Sequence, residues 1–474
     1  MNASTNSVAL LSAVEQLALL RAKKISPLEL AEEHIARIER LNPTLNAFVD
    51  FDAERVRATA RDFLQRDVAQ QPLLGLPISV KSSIAVAGMR CENGSLLERG
   101  QTPGEDAVAV AQLRRAGALI LGTTNCPEYL MAYETDNRLY GRTANPWDIA
   151  RTAGGSSGGE AAAIAAGLSA AGLGSDSGGS VRQPAHCTGI CSLKPTPGRL
   201  SSWGHILPCV GPFASLGSIG PMARTVGDVA LLFDLLAGAD AADPLGAPVS
   251  LRRYTREELR QIPIAFFEDD GLLPVTPETR LAVRAAADAL TLQGFRVQHI
   301  RPQGLEQARQ IWWKFFVQCG ELFLAETIAG REDQLSPTLL GFLSIARSQP
   351  PLRAQDLLAV WAECDLLRRQ FLVEMQSHPI LLCPVSAIPA FGHGERAWTV
   401  EGQNVAYLDA MRYTQWFNTL ALPAAVVPVG RSPEGLPIGV QIAGKPYADE
   451  MVLAIAAAIE QDFGYSAPPM ANTA

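Results

Sequence analysis

The sequence contains few lysines and few histidines. Six lysines stand beside 34 arginines, there are six histidines, and the 474 residues carry a formal net charge of −8. Because no basic run interrupts this acidic balance, the composition argues against nucleic acid or an anionic membrane as the main partner. The scarcity also means that each lysine and histidine can be considered individually as a candidate base.

Long apolar runs are also missing. No uninterrupted stretch reaches the roughly 18 apolar residues that a membrane-spanning helix needs. The apolar segment at residues 8–20 is broken by Ser12, Glu15 and Gln16 and has no positive charge before it, which predicts a helix rather than a secretory signal. We therefore expect a cytoplasmic protein.

Recognisable metal-binding patterns are absent too. The eight cysteines are spread along the chain, which is unlike a small disulfide-stapled domain and predicts reduced, buried thiols. Cys187 and Cys191 have no matching second pair of ligands, and no His-Glu-x-x-His occurs. We expect no metal and no cofactor.

What is present is an alternation of helices and strands that indicates a layered α/β fold. Ser26, Pro27 and Glu29 form a capping box at the start of a helix. The predicted helices are 8–22, 26–41, 108–116, 160–170 and 449–462, with a largely helical region at 304–376. The predicted strands are 76–81, 118–121, 379–388 and 421–429, and residues 240–260 are predicted to be a surface excursion.

Two Gly/Ser loops, residues 154–159 and 174–180, flank an alanine-rich segment. Successive backbone N–H groups in such a loop can converge on an oxyanion, and a serine beside them can attack the same carbonyl carbon. That serine needs a base. His186 and His205 are near in sequence but have no recognisable catalytic context, whereas Lys81 ends an apolar strand upstream of the loops. A lysine base must be buried so that its pKa falls from ~10.4 toward ~7–8; a strand-end lysine reaching to water is the alternative.

The segments around these residues resemble the amidase signature family. The matching segments are 75–81, 124–128, 134–137, 141–147, 154–182, 193–199 and 435–441. The resemblance implies an α/β fold of three layers, α/β/α, with a large mixed central sheet. It also implies a single amidase domain over 1–474, with a signature core at 70–230, a variable and largely helical substrate-lining region at 240–400, and a return to the core sheet at 410–465.

The resemblance also implies roles for individual residues. Ser180 would be the nucleophile, Ser156 would sit on a cis peptide and relay the proton, and Lys81 would be the base. The backbone N–H groups of Ser177, Gly178, Gly179 and Ser180 would form an oxyanion hole. Ser157, Asp176 and Arg182 match supporting positions, and Lys194 matches a structural one.

The implied reaction is hydrolysis of a carbon–nitrogen bond in a small amide or carbamate through an acyl-enzyme, by a monomer or homodimer. Leu130 and Met131 match positions that border the acyl pocket. The apolar and aromatic candidates for substrate binding are Leu130, Met131, Tyr133, Trp312, Trp313 and Phe316. Phe315, Trp416 and Phe417 also favour an apolar or aromatic substrate, although ordinary core packing is the alternative for such aromatic clusters.

Two departures from the family pattern stand out. Ser82 follows the lysine where an acidic residue is common. The tRNA-dependent amidotransferase branch carries an acidic residue just before the asparagine of the C-terminal segment; here residues 411–418 contain none, and Asp409 lies just outside. An amidotransferase-type subunit that acts on aminoacyl-tRNA with partners therefore stays open as an alternative, as does a serine esterase.

Other classes fit less well. Residues 154–158 match the Gly-x-Ser-x-Gly nucleophile elbow, but no hydrophobic strand precedes them. No lysine has a serine three residues before it, which excludes Ser-x-x-Lys enzymes. A binding subunit that keeps the fold without the chemistry is disfavoured, because all three triad positions are filled.

Overall fold

The computed structural model describes residues 7–66 and 71–472. Its strands are β1 Phe48–Phe51, β2 Pro77–Lys81, β3 Leu119–Thr124, β4 Ala171–Asp176, β5 Cys191–Lys194, β6 Ser218–Ala223, β7 Pro263–Phe266, β8 Arg296–His299, β9 Ile380–Pro384, β10 Ala397–Val400, β11 Gln403–Ala406, β12 Ala424–Arg431 and β13 Pro437–Gly444. Its α-helices are α1 Ala13–Arg21, α2 Pro27–Leu45, α3 Ala53–Phe63, α4 Val108–Arg115, α5 Gly158–Ala165, α6 Arg182–Thr188, α7 Val226–Leu236, α8 Arg256–Arg260, α9 Pro277–Leu292, α10 Leu305–Trp312, α11 Cys319–Ile328, α12 Pro337–Arg347, α13 Ala354–Glu374, α14 Tyr407–Ala410, α15 Arg412–Thr419 and α16 Asp449–Glu460.

Eleven of these strands form one mixed sheet. The order across it is β1-β3-β2-β4-β6-β5-β12-β13-β9-β7-β8, while β10 and β11 pair as a separate hairpin. Strand β2 runs parallel to both β3 and β4, and β7 runs parallel to β8 and β9. The remaining neighbours are antiparallel. The predicted large mixed central sheet is confirmed.

Helices cover both faces of the sheet. Along β12, Ala425 and Val427 belong to one apolar cluster, which also contains residues of α7, α9 and α16. Val426, between them in sequence, belongs to another, which contains residues of α5 and α6. Successive side chains of a strand point to opposite faces, so the sheet lies between two helical layers, as the α/β/α prediction states.

Local signals account for most of the element boundaries. Ser26 and Glu29 form the predicted capping box at the start of α2, and this helix continues past the predicted residue 41 until Asn46 adopts a left-handed conformation. The alanine-rich helix is shorter than predicted. It ends at Ala165 because Gly167 turns the chain with a φ of 72°.

The predicted helical region folds as α10 to α13, with a π-helical segment at Trp313–Gln318 that joins α10 to α11. Its buried side chains form their own cluster with Tyr133, Trp416 and the β9 residue Cys383. This region therefore packs beside the Gly/Ser loops as a wall of helices. Within the predicted excursion at 240–260, residues 240–255 contain no regular helix or strand, whereas the last five residues form α8.

Within the described residues, no helix is both long and apolar enough to cross a membrane. The same part of the chain brings together no group of three or more side chains suited to hold a metal ion. All eight cysteines are free, and seven of them are buried, as the sequence predicts.

Candidate active site

Lys81 is the last residue of β2 and is completely buried. Its Nζ lies 2.6 Å from Ser156 Oγ and 3.1 Å from Ser175 Oγ. Because β2 and β4 run parallel, their carboxyl ends meet at one edge of the sheet, which places Lys81 beside Ser175. The alternative in which Lys81 reaches to water is therefore wrong.

Ser156 comes to Lys81 from the first Gly/Ser loop. The peptide bond between Gly155 and Ser156 is cis, as the resemblance implied. The next residue, Ser157, donates its backbone N–H to the carbonyl of Ser180 at 3.1 Å. This bond ties the two loops together, and Ser156 and Ser180 line the same cavity.

Two buried lysines differ in what their amines contact. Burial lowers the pKa of Lys81 to about 8 and the pKa of Lys194 to about 7. Lys194 also ends a strand, β5, but its Nζ donates to the carbonyl of Pro195 at 2.9 Å. A depressed pKa is thus shared by both side chains, and it is the contact with Ser156 that distinguishes Lys81. Lys81 closes the buried strand upstream of the loops, as the sequence argument states, and Lys194 closes another one downstream of them.

The second Gly/Ser loop is held by side chains from three other segments. Trp312 donates its indole N–H to the Ser177 carbonyl at 2.9 Å. The hydroxyls of Tyr133 and Thr414 donate to the Gly178 carbonyl at 2.9 and 2.7 Å. In a trans peptide the N–H points away from the preceding C=O, so the Trp312 bond turns the Gly178 N–H to the opposite side.

The close packing of these side chains against the loop requires glycine at positions 178 and 179. A Cβ on Gly178 would come within 2.8 Å of the Trp312 ring, and one on Gly179 would come within 2.3 Å of Thr414 Oγ1. Gly179 also has a φ of 131°, a backbone conformation that residues other than glycine rarely adopt.

Asp176 is the anchor of the loop. Its carboxylate accepts from the backbone N–H groups of Gly179 and Val181, from the Arg182 guanidinium at 2.9 and 3.0 Å, and from the Asn418 amide. Burial alone would raise the pKa of this carboxyl, but Arg182 and these donors hold it well below its usual range. Asp176 and Arg182 therefore form a buried ion pair, in agreement with a supporting role.

The predicted oxyanion donors differ from one another. The Gly179 N–H donates to Asp176 Oδ1 at 2.8 Å, so it is already occupied by the carboxylate that shapes the loop. The backbone N–H groups of Ser177, Gly178 and Ser180 remain the candidates. Sequence reasoning could not separate them, because a run of loop residues shows which N–H groups are close but not which direction each one faces.

Two cavities meet at Ser180. The smaller, of about 630 Å³ including space open to solvent, reaches Ser156, Ser175, Ser180 and His205. Its apolar lining is Tyr129, Leu130, Met131, Leu207, Phe213, Phe316, Phe323 and Leu324. The larger, of about 1680 Å³ including space open to solvent, also reaches Ser180. Leu130, Met131 and Phe316 line both cavities and so form the boundary between them.

All six predicted substrate-binding residues line the larger cavity, namely Leu130, Met131, Tyr133, Trp312, Trp313 and Phe316. Three other aromatic residues do not line either cavity. Phe315 packs against Trp361, and Trp416 and Phe417 are completely buried in the helical cluster. For these three the core-packing alternative is correct, because all three are fully buried, and Phe315 contacts Trp361 whereas Phe316 stacks on Trp312 at the cavity wall.

Sequence reasoning missed Ser175 and His205. His205 Nε2 lies 2.9 Å from Ser175 Oγ, which in turn contacts Lys81. The sequence shows no catalytic context for His205 because the connection arises only when the loop after β5 folds over the end of β4. Within the described part of the chain, the hydrogen-bond partners of His186 are backbone groups, namely the Ile388 carbonyl and the Gly439 peptide.

The two departures from the family pattern also have structural answers. Ser82 Oγ faces Cys126 Sγ at 3.3 Å rather than Lys81, so the residue after the lysine does not hold its amine. Asp409 lines the larger cavity and forms an ion pair with Arg309.

Comparison with known proteins shows the family to which the chain belongs. The amidase family model matches residues 29–453. The chain is 33% identical to indoleacetamide hydrolase of Bradyrhizobium diazoefficiens over 96% of its length and 86% of that protein. It is 34% identical to a glutamyl-tRNA(Gln) amidotransferase subunit of Roseiflexus castenholzii over 94% of each chain.

Among solved structures, the 6-aminohexanoate cyclic dimer hydrolase complexed with substrate superposes with a TM-score of 0.86 at 27% identity. The match covers 98% of this chain and 100% of that one. A family match over most of the chain, together with relatives above 30% identity and the same mixed sheet, leads to one conclusion: this chain belongs to the amidase signature family and is an amidase.

Proposed function

We propose that the protein hydrolyses uncharged amides or carbamates with an apolar or aromatic group, through an acyl-enzyme on Ser180. The observation that carries this proposal is the contact between the buried Lys81 amine and Ser156, in a cavity that also exposes Ser180. A buried base next to a serine, beside a loop of backbone N–H groups, is the arrangement that acyl transfer needs.

The proposed proton path extends the Lys81–Ser156 contact to Ser180, which lines the same cavity. Ser180 Oγ forms a bond to the substrate carbonyl carbon and gives its proton to Ser156, which passes a proton to the neutral Lys81 amine. When the C–N bond breaks, Ser156 gives its hydroxyl proton to the leaving nitrogen and takes a proton back from Lys81, while Ser180 stays acylated. Water then attacks the acyl-enzyme with the same base and releases the acid.

The lining of the cavities supports an uncharged substrate. The smaller cavity is mostly aliphatic and aromatic. The cations on the wall of the larger one are paired, Arg309 with Asp409 and Arg396 with Glu134. A charged substrate would have to displace one of these partners, whereas an aryl or fatty amide, or an aryl carbamate, would not.

One observation favours a second candidate. Asp409 lies on the cavity wall, and the relatives include an amidotransferase subunit, so release of ammonia from glutamine by a subunit with partners is the alternative function. Recognition of the α-ammonium group of glutamine would need a free carboxylate, and Asp409 is neutralised by Arg309. The hydrolase is therefore the better supported of the two.

The test uses a fluorophosphonate probe and a panel of p-nitroanilide amides, aryl carbamates, p-nitrophenyl esters and glutamine. We expect the probe to label Ser180 and aromatic or medium-chain amides to be turned over faster than glutamine. Turnover of the p-nitrophenyl esters without turnover of the amides would instead indicate an esterase. Ser180→Ala should abolish both labelling and turnover.

A matched control is Ser218→Ala. Ser218 is buried in the neighbouring strand β6, and its hydroxyl finds no hydrogen-bond partner among the described residues. This variant should keep both labelling and turnover. Folded protein that carries no adduct on Ser180, or a Ser180→Ala variant that still turns over amides, would show that the proposal is wrong.

A further inference from the structure

His205 is a buried histidine that the proposed proton path does not use. It lies in the loop between β5 and β6 and is 8% exposed. Its Nδ1 lies 3.0 Å from the Leu207 carbonyl, and its Nε2 lies 2.9 Å from Ser175 Oγ and 3.3 Å from Ser83 Oγ. The ring is therefore fixed on both sides.

These contacts determine which ring nitrogen carries the proton. A carbonyl oxygen can only accept, so Nδ1 must be the donor to Leu207. Burial lowers the pKa of His205 to about 4, so the ring is neutral at pH 7 and Nε2 has a free lone pair. Nε2 accordingly accepts a hydrogen bond from the hydroxyl of Ser175, its nearer partner.

The direction of the next bond follows. Ser175 has one hydroxyl proton, and that proton is used on His205. Its oxygen can then only accept from Lys81 Nζ, at 3.1 Å. A neutral amine has two hydrogens and one lone pair. Once one hydrogen is donated to Ser175 the lone pair is not used there, and it can accept from the second neighbour, Ser156, at 2.6 Å.

We propose that His205 is a positioning residue that acts through Ser175 to aim the lone pair of the Lys81 amine at Ser156. This inference rests on the proposed role of Lys81 as base. Without His205, the Ser175 hydroxyl is free to rotate and donate to the Lys81 lone pair, where it competes with Ser156. The orientation of the base is thus set by a backbone carbonyl, that of Leu207, three hydrogen bonds away.

The test compares His205→Leu, His205→Gln and Ser175→Ala with a p-nitroanilide of an aromatic acid. His205→Leu should lower kcat roughly ten- to hundredfold, part of the ~10²–10⁴-fold that a positioned base contributes, with little change in KM. His205→Gln, whose amide oxygen can accept from Ser175, should recover part of this loss. In the Ser175→Ala background, His205→Leu should change kcat by no more than about twofold, because the path through Ser175 is already cut.

The pH profile separates positioning from a merely structural role. In His205→Leu, hydrogen bonding to the neutral amine should move the acid limb of kcat to lower pH while the plateau falls. The other titratable groups that act on Lys81, unchanged by this substitution, are Cys126 after β3, Glu160 on α5, Asp176 at the end of β4 and Cys209 in the loop after β5. A fall in rate with the limb unmoved would overturn the proposal.

Two further outcomes would overturn it. If His205→Leu costs the same factor with and without Ser175, the ring acts independently of Ser175; a rise in KM would indicate direct contact with substrate. His34→Gln serves as the control, since His34 is also buried and bonds a backbone carbonyl, that of Leu168, but its other partner is Gln16 rather than Ser175. Retention of turnover by Lys81→Met would instead contradict the proposed function itself. Failure of the proposed function and failure of the role given to His205 are therefore distinguishable.

Discussion

Two parts of the chain meet at Ser180, the Gly/Ser core of residues 154–182 and the helical wall of residues 305–347. In the core, almost every side chain is buried, and the polar groups bond one another or the backbone. In the wall, aromatic and aliphatic side chains pack against each other, as Trp312 does on Phe316 at 4.8 Å. The core fixes where atoms react, because hydrogen bonds are directional, whereas apolar packing fixes only the shape and volume available to a substrate.

The largest effect should come from the pair of buried lysines. Lys81→Met should lower kcat/KM by roughly 10²–10⁴-fold, because the base is lost, while Lys194→Met should keep most of the turnover. In the wild type, only neutral Lys81 accepts a proton, so kcat/KM should rise about tenfold per pH unit up to its pKa of about 8 and then level off. Steady-state kinetics from pH 5 to 10 measures both.

The same lysine gives a stability prediction with a definite sign. Its pKa is lowered from 10.5 to about 8 in the folded chain, so between these pH values the unfolded chain binds more protons and stability rises with pH. Lys81→Met should remove this contribution. A rate that is flat from pH 5 to 10 in the wild type would count against a lysine base.

The second largest effect should come from breaking the anchor of the core. Asp176→Asn removes the counter-charge of Arg182 in a site where both side chains are fully buried, which should cost about 3–5 kcal/mol in the free energy of unfolding. Chemical denaturation measures this loss. Asp148→Asn breaks a partly exposed ion pair with Arg151 and should leave the midpoint almost unchanged; equal losses in the two variants would show that the Asp176 network does not anchor the core.

The smallest effect should come from the boundary between the two cavities. Phe316→Ala joins them, so the ratio of kcat/KM for a bulky over a small aromatic amide should rise roughly tenfold. Phe315 is one position earlier but is fully buried in the apolar cluster of the helical wall. Phe315→Leu should therefore lower stability and leave that ratio unchanged. A Phe316→Ala variant with an unaltered ratio would mean that Phe316 does not limit the size of the bound group.

The sequence predicted the layered fold and the meeting of Lys81, Ser156 and Ser180 in one site, because periodicity and a long, specific motif carry that information. It did not predict which N–H groups of the loop are free, since Gly179 is taken by Asp176 only through the folded shape of the loop. It also did not separate Phe315 from Phe316, because a π-helical segment changes which side chains share a face. The sequence did not reveal the role of His205, since its link to Lys81 through Ser175 joins residues that are distant in sequence.

Trp312 and Tyr133 each line the larger cavity and also bond a carbonyl of the glycine loop. A substitution that reshapes the cavity at either position would therefore also release part of the loop, so a new substrate preference there would come with slower chemistry. Met131, Phe316 and Phe323 line the cavities through apolar side chains alone. These are the positions at which evolution, or a protein engineer, can exchange one substrate for another while the reaction itself is left intact.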